Sequence, residues 1–179
     1  YYYVGGMPEV VKYYAQTKEI FHVREIQNRI LLNYRQDFSK HIPGSLLTKV
    51  NLVWDSVPAQ LAKENKKFIY GMLKKGGRAK EFEDAIQWLV DAGLVFKVNR
   101  INKVCMALKF YEEFNAFKLY LLDLGLLGAM VDAPAKNILI GDNVFKEYKG
   151  AFTEQYVAQQ IVACNVTPKY YNNENSTNE

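Results

Sequence analysis

A glutamate within an apolar helix face is the first residue of this chain that could do chemistry. Segment 150–162 has the periodicity of a helix, and one face of that helix carries Ala151, Glu154, Ala158 and Ile161. A carboxylate among apolar neighbours needs a partner group, a bound metal ion or a raised pKa. The alternative is that Glu154 points to solvent from a loosely packed first turn, where the helix dipole favours a negative charge.

Other patterns for catalysis or metal binding are weak. His22 and His41 have no cysteine or carboxylate at the spacing of a zinc site. Gly5 and Gly6 form a turn, but neither a Walker lysine nor a following serine or threonine accompanies them. We therefore predict no metal site and no bound cofactor in this chain.

A basic window between residues 63 and 80 could bind phosphate groups. Its only acidic residue is Glu64, and its cations are Lys63, Lys66, Lys67, Lys74, Lys75, Arg78 and Lys80. Such a cluster is typical of an edge that contacts a nucleic-acid backbone. A solvated loop around an apolar, strand-like stretch at 68–73 is the equally open alternative.

The segment 78–102 is predicted to position this window. Apolar residues recur at helical spacing up to Gly93, a fitting helix stop, and a β-prone run follows at once. A helix that leads into a polar-tipped ribbon is typical of a winged helix, whose wing would offer Lys97 and Arg100 to DNA. The outward face of the helix is acidic, with Glu83, Asp84 and Asp91, and so favours a partner protein over phosphate.

The remaining patterns predict a mainly α-helical α+β chain. We expect helices at 8–17 and 19–41, a third capped by Ser45, and a fresh helical start at Pro58. A returning strand at 117–122 leads to Asp123, which should cap a short helix ending near Met130. Residues 168–171 are predicted to form an edge strand.

Composition places few limits on function. The chain has 179 residues, a net charge of +4 and 14% aromatic residues, which permits contact with nucleic acid without arguing for it. Cys105 and Cys164 lie far apart, which predicts a reduced, cytoplasmic protein. The longest apolar run, 119–131, is too short for a bilayer, so no membrane contact is expected.

Six stretches resemble the C-terminal half of a family of prokaryotic AAA+ ATPases, in which a domain of unknown function follows the ATPase domain. The stretches are YVGGMPEVV, DFSKH, SVPAQLAKENKKFIYGML, RAKEFEDAIQWLVDAGLVFKV, FKLYLLDLGLL and KGAFTEQYVAQQI. The resemblance implies a helical segment after the ATPase lid (1–44) and a winged-helix-like domain (45–132). Residues 133–179 then resemble the start of a restriction-endonuclease-like domain, truncated at the end of the chain.

The resemblance also implies which chemistry is missing. Glu154 matches the helix glutamate of the nuclease-like fold, but the aspartate and the Glu-x-Lys that complete its metal site are not in this sequence. Walker motifs are absent as well, so ATP and Mg²⁺ are implied only for a longer parent protein. We therefore expect a non-enzymatic fragment whose segment 168–179 packs poorly or pairs with another copy.

Three functions stay open at this point. The first is DNA binding through the basic window and the wing. The second is an interaction or oligomerisation module, whose partner would be another subunit or the upstream ATPase domain. The third is a share in a metal-dependent nuclease that is incomplete here.

Overall fold

The computed structural model describes residues 1–63, 67–135 and 143–172. Its elements confirm the predicted α+β class, with most residues in helices and few in strands. The helices are α1 (Pro8–Thr17), α2 (Val23–His41), α3 (Gly44–Ala62), α4 (Ala79–Asp91), α5 (Leu124–Met130) and α6 (Asn143–Ala163). The strands are β1 (Val95–Ile101), β2 (Glu112–Leu121) and β3 (Lys169–Tyr171), and 3-10 turns lie at Tyr70–Met72 and Leu108–Tyr111.

The strands form one sheet in the order β2-β1-β3. β1 and β2 are antiparallel, with Val95 opposite Leu121, and their register shifts after Asn99. β3 runs parallel to β1 and is an edge strand, as predicted. The helix–ribbon order of α4, β1 and β2 is thus confirmed, whereas the identification of this unit as a winged helix stays a prediction.

The end of α4 shows why the helix passes directly into β1. Gly93 has a φ of +69°, a left-handed conformation that suits glycine. The Gly93 N–H donates to the carbonyl of Val90 at 2.9 Å, and the Leu94 N–H to that of Leu89 at 3.0 Å. These two bonds form a Schellman motif, which satisfies the last carbonyls of the helix and turns the chain into the strand. The helix stop predicted at Gly93 is confirmed.

The predicted break at Pro58 is wrong, because α3 runs unbroken from Gly44 to Ala62 with the proline inside it. A proline in a helix interior costs roughly 3 kcal/mol through the lost hydrogen bond and ring contact. Val53, Trp54 and Val57 are fully buried around it, and their burial outweighs that cost. The cap predicted at Ser45 is also wrong, since the helix begins one residue earlier and has no side-chain cap.

The strand-like stretch at 68–73 is not a strand but contains the 3-10 turn Tyr70–Met72. The Gln60 side chain forms the two backbone hydrogen bonds that a neighbouring strand would form with Ile69. Its amide nitrogen donates to the Ile69 carbonyl at 2.9 Å, and its oxygen accepts from the Ile69 N–H at 3.0 Å. The N–H of Phe68 donates to the carbonyl of Phe117 at 2.6 Å, so this stretch still lies along β2.

Other predicted elements begin earlier or later than expected. α2 begins at Val23 rather than at residue 19, β2 at Glu112 rather than at residue 117, and α6 at Asn143 rather than at residue 150. Asp123 does cap α5, as predicted, since its side chain accepts a hydrogen bond from the Leu126 N–H.

One apolar core extends across the predicted boundaries near residues 44 and 132. Trp54 and Phe38 pack edge to face with ring centroids 5.7 Å apart, and Phe38 meets Trp88 in the same way at 5.4 Å. Phe152 of α6 is buried in the same core. The three-part division of the chain stays a prediction. No helix in the described ranges combines the length and the apolar character that crossing a membrane requires.

The part of segment 168–179 that the structure describes packs against the rest of the chain, so the poor packing expected as one alternative is not seen there. Pro168 is buried and β3 pairs with β1, while pairing of the outer edge of β3 with another copy stays a prediction. Lys169 forms an ion pair with Glu112 of β2. Burial raises the pKa of Glu112, but hydrogen bonds from Lys169 and Asn99 outweigh it and hold that pKa below its ordinary value. Residues 173–179 lie outside the described residues.

Candidate functional site

Glu154 has protein partners, which is one of the alternatives that its position left open. Lys118 and Tyr120 are two residues apart in β2, so both side chains leave the same face of the strand, towards α6. The Lys118 ammonium donates to the two Glu154 oxygens at 3.2 and 3.3 Å, and the Tyr120 hydroxyl donates at 3.0 Å. These contacts account for a carboxylate beside an apolar helix face.

A groove of about 300 Å³ lies beside this cluster, between α6 and β3. Lys118 is only 8% exposed in its side chain and lies 5.3 Å from the centre of the Tyr170 ring. A divalent cation at Glu154 would be repelled by this ammonium and needs further carboxylates. No three His, Cys, Asp or Glu side chains in the described part of the chain are grouped for metal binding. The residues described therefore do not fit the metal site that the nuclease resemblance implies.

Replacing Glu154 by alanine is expected to lower the free energy of unfolding by about 2 kcal/mol, since it removes the acceptor of three hydrogen bonds, two of them from a cation. Glu154→Gln should cost less, because its amide oxygen still accepts. Urea denaturation followed by circular dichroism measures both. Glu25→Ala is the control, because Glu25 is exposed on α2. Equal losses for Glu154→Ala and Glu25→Ala would contradict the role of the cluster.

Among the described residues, Asp123 is the most deeply buried carboxylate, and the N-terminal turn packs against it. It accepts from the Gly6 N–H at 2.6 Å, from the Leu126 N–H at 3.0 Å and from the Gln159 amide at 3.3 Å. Three parts of the chain, the N-terminal turn, α5 and α6, thus converge on one carboxylate. The sequence predicted only the cap of α5.

Gln27 and Arg24 of α2 complete the attachment of the N-terminal turn. The buried Gln27 amide donates to the carbonyls of Tyr3 at 2.8 Å and Val4 at 3.1 Å. The Arg24 guanidinium lies 4.6 Å from the centre of the Tyr3 ring and donates to Gln27 at 2.9 Å. This network is structural, because its polar groups bond to one another and to the backbone.

The cations of the basic window face solvent wherever the structure describes them. Its exposed cations are Lys63, Lys67, Lys74, Lys75, Arg78 and Lys80, and Lys66 lies outside the described residues. Lys74 contacts Glu81 at 3.1 Å, an exposed pair that is worth little and leaves the lysine available. The loop that precedes α4 therefore presents positive charge to solvent.

The two cations predicted in the wing have contacts of their own. Arg100 donates to Glu113 at 3.0 and 2.6 Å, and only 18% of its side chain is exposed. The Lys97 ammonium lies 4.5 Å from the centre of the Phe117 ring. These contacts hold both side chains against the hairpin.

The acidic face of α4 borders a groove of about 490 Å³, which we call the α4 groove. Glu83 and Asp84 line it from the helix, and Lys97 and Phe114 line it from the hairpin, with Tyr70, Ile86 and Phe117 among its other residues. Asp91 is exposed further along α4, accepts from Gln87 at 2.7 Å and does not line the groove. The structure thus brings together two of the three predicted partner-binding acids.

The connection between β1 and β2, residues 102–111, exposes large apolar side chains and is called the hairpin tip. Met106 is fully exposed, Phe110 is 88% exposed and Val104 is 66% exposed. Sequence reasoning missed this surface, although a loop that contains CMAL and FY but no acidic residue carries a signal. Apolar side chains grouped on a surface commonly mark an interaction site.

Fold and surfaces together define a small α+β domain with a basic loop, an acidic groove and an apolar hairpin tip. The chain belongs to a family described as a domain of unknown function, DUF8612, whose model matches residues 1–137. Comparison with curated proteins finds no match, and neither does comparison with solved structures. The relation to AAA+ ATPases and nucleases stays a prediction from the sequence.

Proposed function

We propose that this domain is a non-catalytic interaction module and that the α4 groove is its contact surface. The observation that carries the proposal is the groove itself, where Glu83 and Asp84 stand beside the exposed Phe114. An apolar patch with a charged rim is the usual composition of a protein contact surface. The partner should therefore combine large apolar side chains with positive charge.

Neighbouring contacts support this assignment. The Phe114 side chain is 76% exposed although it lies within β2, so its apolar area is available to a partner. Among the residues that the structure describes, neither Glu83 nor Asp84 forms an ion pair comparable to Lys74–Glu81. The carboxylates of Glu83 and Asp84 outnumber the ammonium of Lys97 in the groove, and this negative charge favours cationic partners over nucleic acid.

Reversing the charge of the groove with Glu83→Lys/Asp84→Lys is expected to abolish capture of the partner by the immobilised domain. The physical reason is that like charges across an interface repel and that a cationic partner loses its attraction. Affinity capture from the source cells, quantified by mass spectrometry, measures the loss.

The matched control is Glu25→Lys/Asp37→Lys, which makes the same charge change at two exposed positions of α2. Circular dichroism should show that both double variants are folded. If the reversed groove captured the same proteins as the unaltered domain, this surface would not be the contact site.

DNA binding through the basic window is the second candidate function, favoured by six exposed cations in and around the loop before α4. The affinity for duplex DNA should fall as the salt concentration rises. A plot of log K against the logarithm of the salt concentration should have a slope of about −0.9 for each phosphate that the protein neutralises. Lys74→Glu/Lys75→Glu/Arg78→Glu should abolish binding in a fluorescence anisotropy titration.

The control for this test reverses three exposed lysines elsewhere, Lys12→Glu/Lys18→Glu/Lys40→Glu, and should retain much of the affinity. No detectable binding by the unaltered domain at low salt would exclude this function. The two tests change different side chains, since Glu83 and Asp84 line the α4 groove and Lys74, Lys75 and Arg78 do not.

A further inference from the structure

The hairpin tip has the chemistry that the α4 groove requires of a partner. It carries Lys103 and Lys109, both exposed, and has no acidic residue between positions 102 and 111. Its apolar side chains, above all Met106 and Phe110, face solvent. An unpartnered surface with this combination is costly in water unless another surface covers it.

The α4 groove has the opposite charge and a comparable apolar content. Glu83 and Asp84 provide two carboxylates against the one ammonium of Lys97, and Ile86, Phe114 and Phe117 provide apolar surface. Its volume of about 490 Å³ falls in the range of pockets that enclose several side chains. The two lysines and the two large apolar side chains of the tip therefore match the carboxylates and the apolar lining of the groove.

The tip of a chain does not contact the groove of the same chain. None of residues 102–111 lines the groove, although Phe114, which does line it, lies three residues beyond the tip. Met106 and Phe110 face solvent instead. The tip that fills the groove would therefore come from a second molecule.

We propose that the hairpin tip of one copy of this chain seats in the α4 groove of a second copy. This inference rests on the proposed function and names its partner. The contact is head to tail, so a pair keeps one unused groove on one copy and one unused tip on the other. Association therefore continues to a closed ring or an open chain unless one surface is removed.

Sedimentation velocity on the purified protein tests the contact. The unaltered chain should associate as its concentration rises. A tip variant, Met106→Ser/Phe110→Ser, and a groove variant, Glu83→Lys/Asp84→Lys, should each weaken association by about 30-fold or more, the effect of losing an anchor side chain. Because all four positions are exposed or line an open groove, both variants should retain the circular dichroism spectrum of the unaltered chain.

An equimolar mixture of the two variants is the decisive sample. The tip variant keeps an intact groove and the groove variant keeps an intact tip, so the mixture should form 1:1 dimers and nothing larger. A contact between two tips or between two grooves predicts no such rescue. In a single chain, Lys103→Glu/Lys109→Glu combined with Glu83→Lys/Asp84→Lys should restore association that either pair alone removes.

A protein that stays monomeric at its highest soluble concentration overturns the inference, and so does a mixture that contains only monomers. These outcomes are distinguishable from failure of the proposed function. If the purified chain is monomeric while charge reversal in the groove still removes a captured partner, self-association fails and the interaction module stands. If neither association nor partner capture depends on Glu83 and Asp84, both fail.

Discussion

Replacing Asp123 by alanine is expected to lower the free energy of unfolding by about 4 kcal/mol. The loss combines the helix cap to the buried Leu126 N–H with two partly buried hydrogen bonds, from Gly6 and from Gln159. The Asp123 carboxylate is 1% exposed, so water cannot replace it. Gly6 and Leu126 would lose the partner of a backbone N–H, and Gln159 would lose that of its amide. Urea denaturation followed by tryptophan fluorescence measures the loss.

Two further variants separate the cap from the rest of the network. Asp123→Asn keeps an oxygen that can cap α5, but its amide group meets donors instead of accepting from them, so an intermediate loss of about 2 kcal/mol is expected. Asp91→Ala, at an exposed position, should stay within about 0.5 kcal/mol of the unaltered chain. A loss at Asp123 as small as that at Asp91 would contradict the role of this carboxylate.

The sequence predicted half of the role of Asp123, and the reason for the other half is physical. A cap is a local feature, since the side chain and the Leu126 N–H are three residues apart. The bond to the Gly6 N–H joins positions 117 residues apart and depends on how α2, α5 and α6 pack. No periodicity or turn signal in the sequence encodes such a contact.

The same distinction between local and tertiary forces explains the outcome at α3 and α4. The end of α4 was predictable because a glycine in the left-handed conformation and two backbone bonds suffice to end a helix. The break expected at Pro58 follows an equally sound local rule, but buried residues lie on both sides of the proline, Trp54 and Val57 before it and Leu61 after it. Tertiary burial outweighs local preference there, and a sequence alone does not show which side chains will be buried.

Surface features were predictable where charge alone defines them. The exposure of Glu83, Asp84 and the basic window followed from their position between apolar residues or in a Gly-rich loop. The ion pair between Arg100 and Glu113 was not predicted, because the register shift after Asn99 sets which residue of β2 faces Arg100. Partners across a hairpin follow from the register, which the spacing of apolar residues only approximates.

The second large effect is expected for Gly5→Ala, which should lower the free energy of unfolding by about 3 kcal/mol. Strain in the left-handed backbone and overpacking by the added methyl group both contribute to this loss. Gly5 has a φ of +71°, and an added Cβ would lie 2.8 Å from the Gly125 backbone nitrogen and closer still to the Asp123 carboxylate. Gly93 is a matched control, since its φ is +69° and nothing lies within 4 Å of an added Cβ. Gly93→Ala should therefore lower the free energy of unfolding only by the backbone strain, about 1 kcal/mol.

Urea denaturation of both alanine variants measures this difference, and equal losses at Gly5 and Gly93 would show that the turn does not pack against Asp123. A double variant sharpens the test. Asp123→Ala removes the carboxylate that the Gly5→Ala methyl group meets, so the two losses should sum to more than the loss in the double variant. The non-additive part should be about 1 to 2 kcal/mol, since residues in direct contact share the free energy that either substitution removes. Additive losses would mean that the N-terminal turn and Asp123 stabilise the fold independently, which contradicts the bond between the Gly6 N–H and the Asp123 carboxylate.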